Sequence, residues 1–260
     1  MAKPILVANW KNHPGSLAEA KALIKQLSKD SHLYKKLSLF IASPLPYLDL
    51  VSHYSGSFAH LASQDISPHF GGTHTSMTTQ DILKSFGVRL AIIGHSERRA
   101  LGETNELVSQ KVKVALRSGI APLVCVGELS RDQDGEHFEF LREQIKLSLS
   151  GLNRKTDISK LAIAYEPVWA MGKHSSDTIT PADLSQSVIF IKKVLVDMFS
   201  RTAAERVSIL YGGSVEPANT VALFDGTGIK GFLVGHASLS AKSFKVIAEA
   251  LIYSEPSRTI

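Results

Sequence analysis

The sequence predicts an α/β protein, a single (β/α)8 barrel, on three observations. Short apolar runs alternate with longer helical patterns eight times along the chain. Strand–helix alternation at this spacing argues for a parallel sheet with right-handed crossovers. Eight units favour closure into a barrel over an open sheet, and 260 residues is an ordinary length for one such barrel. No linker, low-complexity tract or composition break divides the chain, so residues 1–260 are expected to form one domain.

Taken in order, strands are expected to begin near Pro4, Leu37, Phe58, Arg89, Ala121, Leu161, Val207 and Ile229. Helices are expected over 16–28, 46–52, 79–86, 104–118, 136–149, 181–199, 216–223 and 238–252. Ser16-Leu17-Ala18-Glu19 has the form of a capping box. Thr180-Pro181-Ala182-Asp183 joins a cap to a proline at the first helical position, where its missing N–H costs nothing. Residues 65–78 break the rhythm, with no periodicity and with His69, Phe70, His74 and Met77 among them. A loop this long in a compact domain is usually functional, and its side chains suit docking better than free solvation.

An apolar fraction of 44% against 20% charged residues is ordinary for a globular chain with a sizeable core. The formal charge of +5 comes without a Lys/Arg run carrying interleaved aromatics, so nucleic acid is not the expected partner. Mild positive charge suits an anionic metabolite. The one cysteine, Cys125, lies in the apolar run Leu123-Val124-Cys125-Val126 and is expected to be a packed core thiol. A strand starting at residue 4 leaves no room for a signal peptide, and no apolar run approaches the ~18 residues of a membrane span. The expected compartment is the cytoplasm, with no membrane partner. The ten histidines form no ligand-spaced cluster, and no metal site is expected.

Five strand ends carry the chemistry. Residues 161–165 are apolar and close on Glu166, followed by Pro167-Val168-Trp169-Ala170-Met171-Gly172. A carboxylate at that edge of low dielectric can act as a base. Pro167 stiffens the exit, Trp169 offers a ring to dock, and Gly172 allows close backbone approach, so the segment reads as a hinged lid over that base. The other ends are Asn9-Trp10-Lys11-Asn12, His95-Ser96-Glu97-Arg98, Tyr211-Gly212-Gly213-Ser214-Val215 and Gly235-His236-Ala237-Ser238-Leu239. In a parallel barrel all these ends share one face. A base, an electrophile, a fixed cation and backbone N–H groups for an anion would then meet in one crevice.

These runs, together with Arg99 and 231–234, resemble the triosephosphate isomerase family in order and spacing over essentially the whole chain. The resemblance implies the TIM-barrel fold, usually as a homodimer. It also implies interconversion of dihydroxyacetone phosphate and D-glyceraldehyde 3-phosphate without cofactor or metal, in glycolysis and gluconeogenesis. Carried over by position, Glu166 would be the base, His95 the electrophile that polarises the carbonyl, and Lys11 the fixed charge against the enediolate, with Asn9 beside it. The phosphate would rest on backbone N–H groups of Gly172, Ser214, Gly235 and His236.

Three departures from the family pattern stand out. The lid continues Lys173-His174-Ser175-Ser176-Asp177, where the family usually has Gly-Thr-Gly-Lys. A Gly-Gly pair of the eighth loop is Gly235-His236 here. The Gly-Glu pair after Thr75 is Ser76-Met77, which removes the carboxylate that meets an arginine of the partner subunit and leaves Arg98 without an evident counter-charge. The first two departures motivate an alternative, an isomerase of another short sugar phosphate such as a four-carbon ketose phosphate. A non-catalytic phosphosugar-binding barrel is the third reading, which the base at Glu166 disfavours.

Overall fold

The computed structural model describes residues 3–132, 134–171 and 179–254. Eight parallel strands close in sequence order, each paired to its neighbours and β8 back to β1. They are β1 (Ile5–Asn9), β2 (Ser38–Ala42), β3 (His60–Ser63), β4 (Val88–Ile93), β5 (Ala121–Val126), β6 (Ala162–Tyr165), β7 (Ser208–Tyr211) and β8 (Gly231–Val234). Register carries the functional ends to one level: Asn9 lies opposite Ala42, and Val126 opposite Tyr165.

Strand alternation divides the core in two. Inward-facing Val7, Ala42, Leu90, Ile92, Leu123, Cys125, Ala164, Leu210 and Leu233 fill the barrel. Outward-facing residues such as Leu6, Ile41, Ile93, Val124 and Ile163 pack against the helices. Cys125 is buried, and burial followed by the nearby Glu166 raises its thiol well above the ordinary value, as expected of a core thiol.

The longer helices lie where the sequence places them: α1 (Leu17–Ser28), α6 (Asn105–Arg117), α7 (Glu136–Ser148), α8 (Pro181–Met198) and α11 (Ala241–Tyr253). Ser16 Oγ accepts from Glu19 N at 3.3 Å, and Thr180 Oγ1 accepts from Asp183 N at 3.1 Å, so both caps form. Glu19 turns its carboxylate to Gly15 N, one residue ahead of the usual reciprocal partner.

Short helices differ more. The second expected helix divides into a 3-10 turn over Leu45–Tyr47 and α3 (Leu48–Ser55), and the seventh contracts to α10 (Thr220–Phe224). The third is α4 (Gln80–Ser85), and α2 (Ser31–Tyr34), α5 (Ser96–Ala100) and α9 (Arg201–Arg206) lie outside the expected set. A helix of one turn shows no period in its sequence, so packing decides it. Among the described residues no helix is long and apolar enough to cross a membrane.

Candidate active site

The carboxyl end of β1 places Asn9 at the barrel mouth, almost fully buried. Its Oδ1 accepts from Lys11 N at 3.1 Å, which curls the chain back and leaves Lys11 at φ 51°. A lysine in the left-handed region stores on the order of 1–3 kcal/mol and persists only when neighbours over-determine it. Gln64 does so from the end of β3, donating to Lys11 O at 2.7 Å and to Ala42 O at 2.9 Å. The Lys11 ammonium then meets Glu97 Oε1 at 2.6 Å. Its stem passes over Gly235 at the end of β8, where an added Cβ would lie 3.4 Å from Lys11 Cε.

His95 caps α5 and is buried. Its Nδ1 accepts from Glu97 N at 3.2 Å, so the neutral ring carries its proton on Nε2. That nitrogen points at Glu166 Oε1, 3.5 Å away. The backbone of Glu166 continues β6, with its N donating to Val126 O at 2.8 Å. Its carboxylate is 1% exposed as a residue, with Oε2 accepting from Ser96 N at 3.2 Å and Oε1 left without a hydrogen-bond donor among the described residues. One oxygen is therefore anchored, and the other faces His95 Nε2 without a hydrogen bond. Gly127 and Gly212 make room on either side: a Cβ on Gly127 would lie 1.9 Å from Glu166 O, and one on Gly212 would lie 2.8 Å from Glu166 Cγ. Arg99 lies close enough for its guanidinium to feel Glu166, and burial lowers its own pKa.

After Glu166 the chain forms a 3-10 turn over Val168–Ala170. Buried Glu128 holds this hinge, accepting on Oε1 from Trp169 Nε1 at 2.8 Å and from Tyr165 OH at 2.9 Å. Burial, then the Glu128 charge, raises the Tyr165 hydroxyl, so it stays protonated and donating. Trp169 is docked, as its position in the sequence suggests. Ser214 Oγ donates to Ala170 O at 3.1 Å, tying the hinge to the β7 turn. Gly172 and the altered lid residues lie outside the described residues.

Gly235 caps a 3-10 turn over His236–Leu239, whose first N–H groups have no acceptor within the turn. His236 is exposed. Among the described residues only Lys11 and Ser76 are non-glycines with positive φ, so His236 occupies ordinary backbone and its departure from glycine strains nothing. Ser76, at φ 67°, keeps a glycine-like conformation in the loop over 65–78.

The partner of Arg98, left open by the sequence, lies within the chain. Its Nε lies 3.3 Å from Glu103 Oε2 and its Nη2 lies 3.4 Å from Asp65 Oδ2. Buried Lys111 joins both carboxylates, at 2.8 Å to Glu103 and 2.6 Å to Asp65. The pairing is internal to the chain. Among the described residues no group of three or more His, Cys, Asp or Glu is placed to hold a metal ion.

The structure thus brings Asn9, Lys11, His95 and Glu166 to one mouth, with Ser214, Gly235 and His236 beyond the ends of β7 and β8. Sequence reasoning missed Glu97, Ser96, Gln64 and Glu128 as supporting residues. Glu97 and Ser96 sit inside a run already singled out, whereas Gln64 and Glu128 carry no local signal.

The sequence profile of triosephosphate isomerase matches residues 4–251. Three triosephosphate isomerases are similar over nearly their full length. That of Citrifermentans bemidjiense is 38% identical over 259 residues, 98% of this chain and 100% of its own. That of Carboxydothermus hydrogenoformans is 36% identical, covering 97% and 100%. That of Herminiimonas arsenicoxydans is 39% identical, covering 96% and 100%.

Proposed function

The chain belongs to the triosephosphate isomerase family, and from that premise we propose how its residues perform the reaction. It is an aldose–ketose isomerase that interconverts dihydroxyacetone phosphate and D-glyceraldehyde 3-phosphate. The reaction moves one proton between adjacent carbons and one between their oxygens, with no net transfer of electrons out of the substrate. A base, a donor to the carbonyl oxygen and a grip on the phosphate suffice.

Glu166 Oε1 takes the α-proton. The observation that carries this reading is that oxygen, buried and without a donor beside the proton-bearing Nε2 of His95 at 3.5 Å. Nε2–H donates to the oxygen that becomes the enediolate, and Lys11, fixed by Glu97, opposes its charge with Asn9 alongside. Glu166, now protonated, returns the proton to the neighbouring carbon, while the hydroxyl proton passes from one substrate oxygen to the other by way of His95 Nε2. The phosphate rests on N–H groups of Gly172, Ser214, Gly235 and His236, and His236 contributes its backbone only. Isomerisation of D-glyceraldehyde 3-phosphate by the purified chain tests the reading, and a protein that binds it without turnover ends it.

The 260 residues act as one domain, and the compartment of a sugar-phosphate isomerase with a single buried thiol is taken to be the cytoplasm. The active form is at least a homodimer. Leu17, Leu45, Met77, Ile82 and Leu101 are exposed, and all lie in segments that follow β1 to β4. Exposed apolar side chains on these segments suit a protein interface. The loop over 65–78 contributes Met77 to it, while Phe70 is held by its own chain beneath Arg117, 4.7 Å from the ring centroid. Light scattering at micromolar protein should return at least twice the 28.2 kDa of the chain, and the chain mass alone would contradict the dimer.

A further inference from the structure

Three methionines, Met77, Met171 and Met198, fall among the described residues. Met198 ends α8, where it is half-buried against the outer core. Met77 is 44% exposed, with Ser67 Oγ 3.9 Å from its sulfur. Met171 has different surroundings. It closes the 3-10 turn that follows Glu166, is half-buried, and its Sδ accepts from Ser96 Oγ at 3.4 Å. The same Ser96 directly follows His95 and donates from its N to Glu166 Oε2 at 3.2 Å. One serine therefore joins a partly accessible thioether to the anchored oxygen of the base.

A thioether is a soft, weak acceptor that a hydroperoxide converts to a sulfoxide, which is polar. The sulfur lone pair forms the S–O bond as the O–O bond breaks. The proton of the transferred oxygen passes to the departing one, which leaves hydrogen peroxide as water. Sulfur gives up an electron pair and the peroxide takes it, so the step balances. The thiol of Cys125 does not compete, because it is 1% exposed and burial, then Glu166, hold it protonated.

We propose that Met171 is an oxidation site through which hydroperoxides slow the isomerase. The inference rests on Glu166 acting as the base. In the sulfoxide, an oxygen standing one bond out from sulfur becomes the acceptor for Ser96 Oγ–H. Ser96 must then shift, and with it the N–H that fixes Glu166 Oε2. A displacement of about 1 Å in a catalytic group costs about a hundredfold, so a fraction of that costs about tenfold.

The test treats the full chain with hydrogen peroxide, locates added oxygen by peptide mass spectrometry, and measures steady-state kinetics. Each protein is compared with its own untreated turnover. Oxygen on Met171 should accompany a fall of about tenfold, chiefly in kcat. Met171→Leu should keep its turnover under the same dose, and Ser96→Ala, which lacks the hydroxyl, should lose little. Met77→Leu should lose as much as wild type. Oxidised Met171 with unchanged kcat, or no oxygen on Met171 while turnover falls, would overturn the proposal. Equal loss in Met171→Leu or Ser96→Ala would do so too, as would protection by Met77→Leu. Reversal by dithiothreitol would move the effect to Cys125 and also end it. An untreated protein without turnover would remove the base reading itself, whereas normal untreated turnover that survives oxidation of Met171 removes this inference alone.

Discussion

Replacing Glu166 with glutamine is expected to keep the barrel folded and lower turnover by about three orders of magnitude or more, about 4 kcal/mol in the barrier. The amide has nearly the carboxylate's size, so Gly127 and Gly212 accommodate it, and its carbonyl oxygen can still accept from Ser96 N. What it cannot do is take the proton now assigned to Oε1. Substrate binding should change little, because the phosphate is held elsewhere, so the loss should fall in kcat with KM nearly constant. Steady-state kinetics alongside a thermal melt separate chemistry from folding. Turnover within tenfold of wild type would remove Glu166 from the role of base.

Gly127→Ala is expected to damage stability and chemistry together. The new Cβ would lie 1.9 Å from Glu166 O and 2.4 Å from Glu166 C, both backbone atoms that no rotamer change can move aside. Relief requires β5 and β6 to part where Glu166 N donates to Val126 O at 2.8 Å. Overpacking of this kind costs about 1–3 kcal/mol and occasionally more. A displacement of about 1 Å in the base costs about a hundredfold in rate. Gly119→Ala is the matched control, since a Cβ there meets nothing within 4 Å although φ is 79°. It should lower stability and leave turnover alone. A Gly127→Ala protein with wild-type turnover would show that the base does not depend on this cradle.

The barrel was legible because each strand is an apolar run ending in a polar or glycine-rich turn, and because the long helices carry caps and a clear period. The one-turn helices α2, α5 and α9 were not, since tertiary contacts decide them. Asn9, Lys11, His95 and Glu166 stood out for the same reason as the strands: each closes an apolar run. Their supports were hidden by distance along the chain. Glu97 reaches Lys11 across 86 positions, and Gln64 reaches Lys11 O across 53. The partner of Arg98 stayed unknown because the family's carboxylate near position 77 is absent, whereas Glu103 and Asp65 supply the counter-charge from other segments of the same chain. Nor could the sequence announce that Lys11 adopts φ 51°, which follows from Asn9 and Gln64 acting on its backbone together.

On the proposed mechanism the chain's own side chains move the proton, with Glu166 as base and His95 as donor. The most direct measurement is the steady-state formation of dihydroxyacetone phosphate from D-glyceraldehyde 3-phosphate by purified protein, with and without a strong metal chelator. Rapid isomerisation at the same rate is expected in both. No turnover above the uncatalysed rate, or turnover abolished by the chelator, would contradict it.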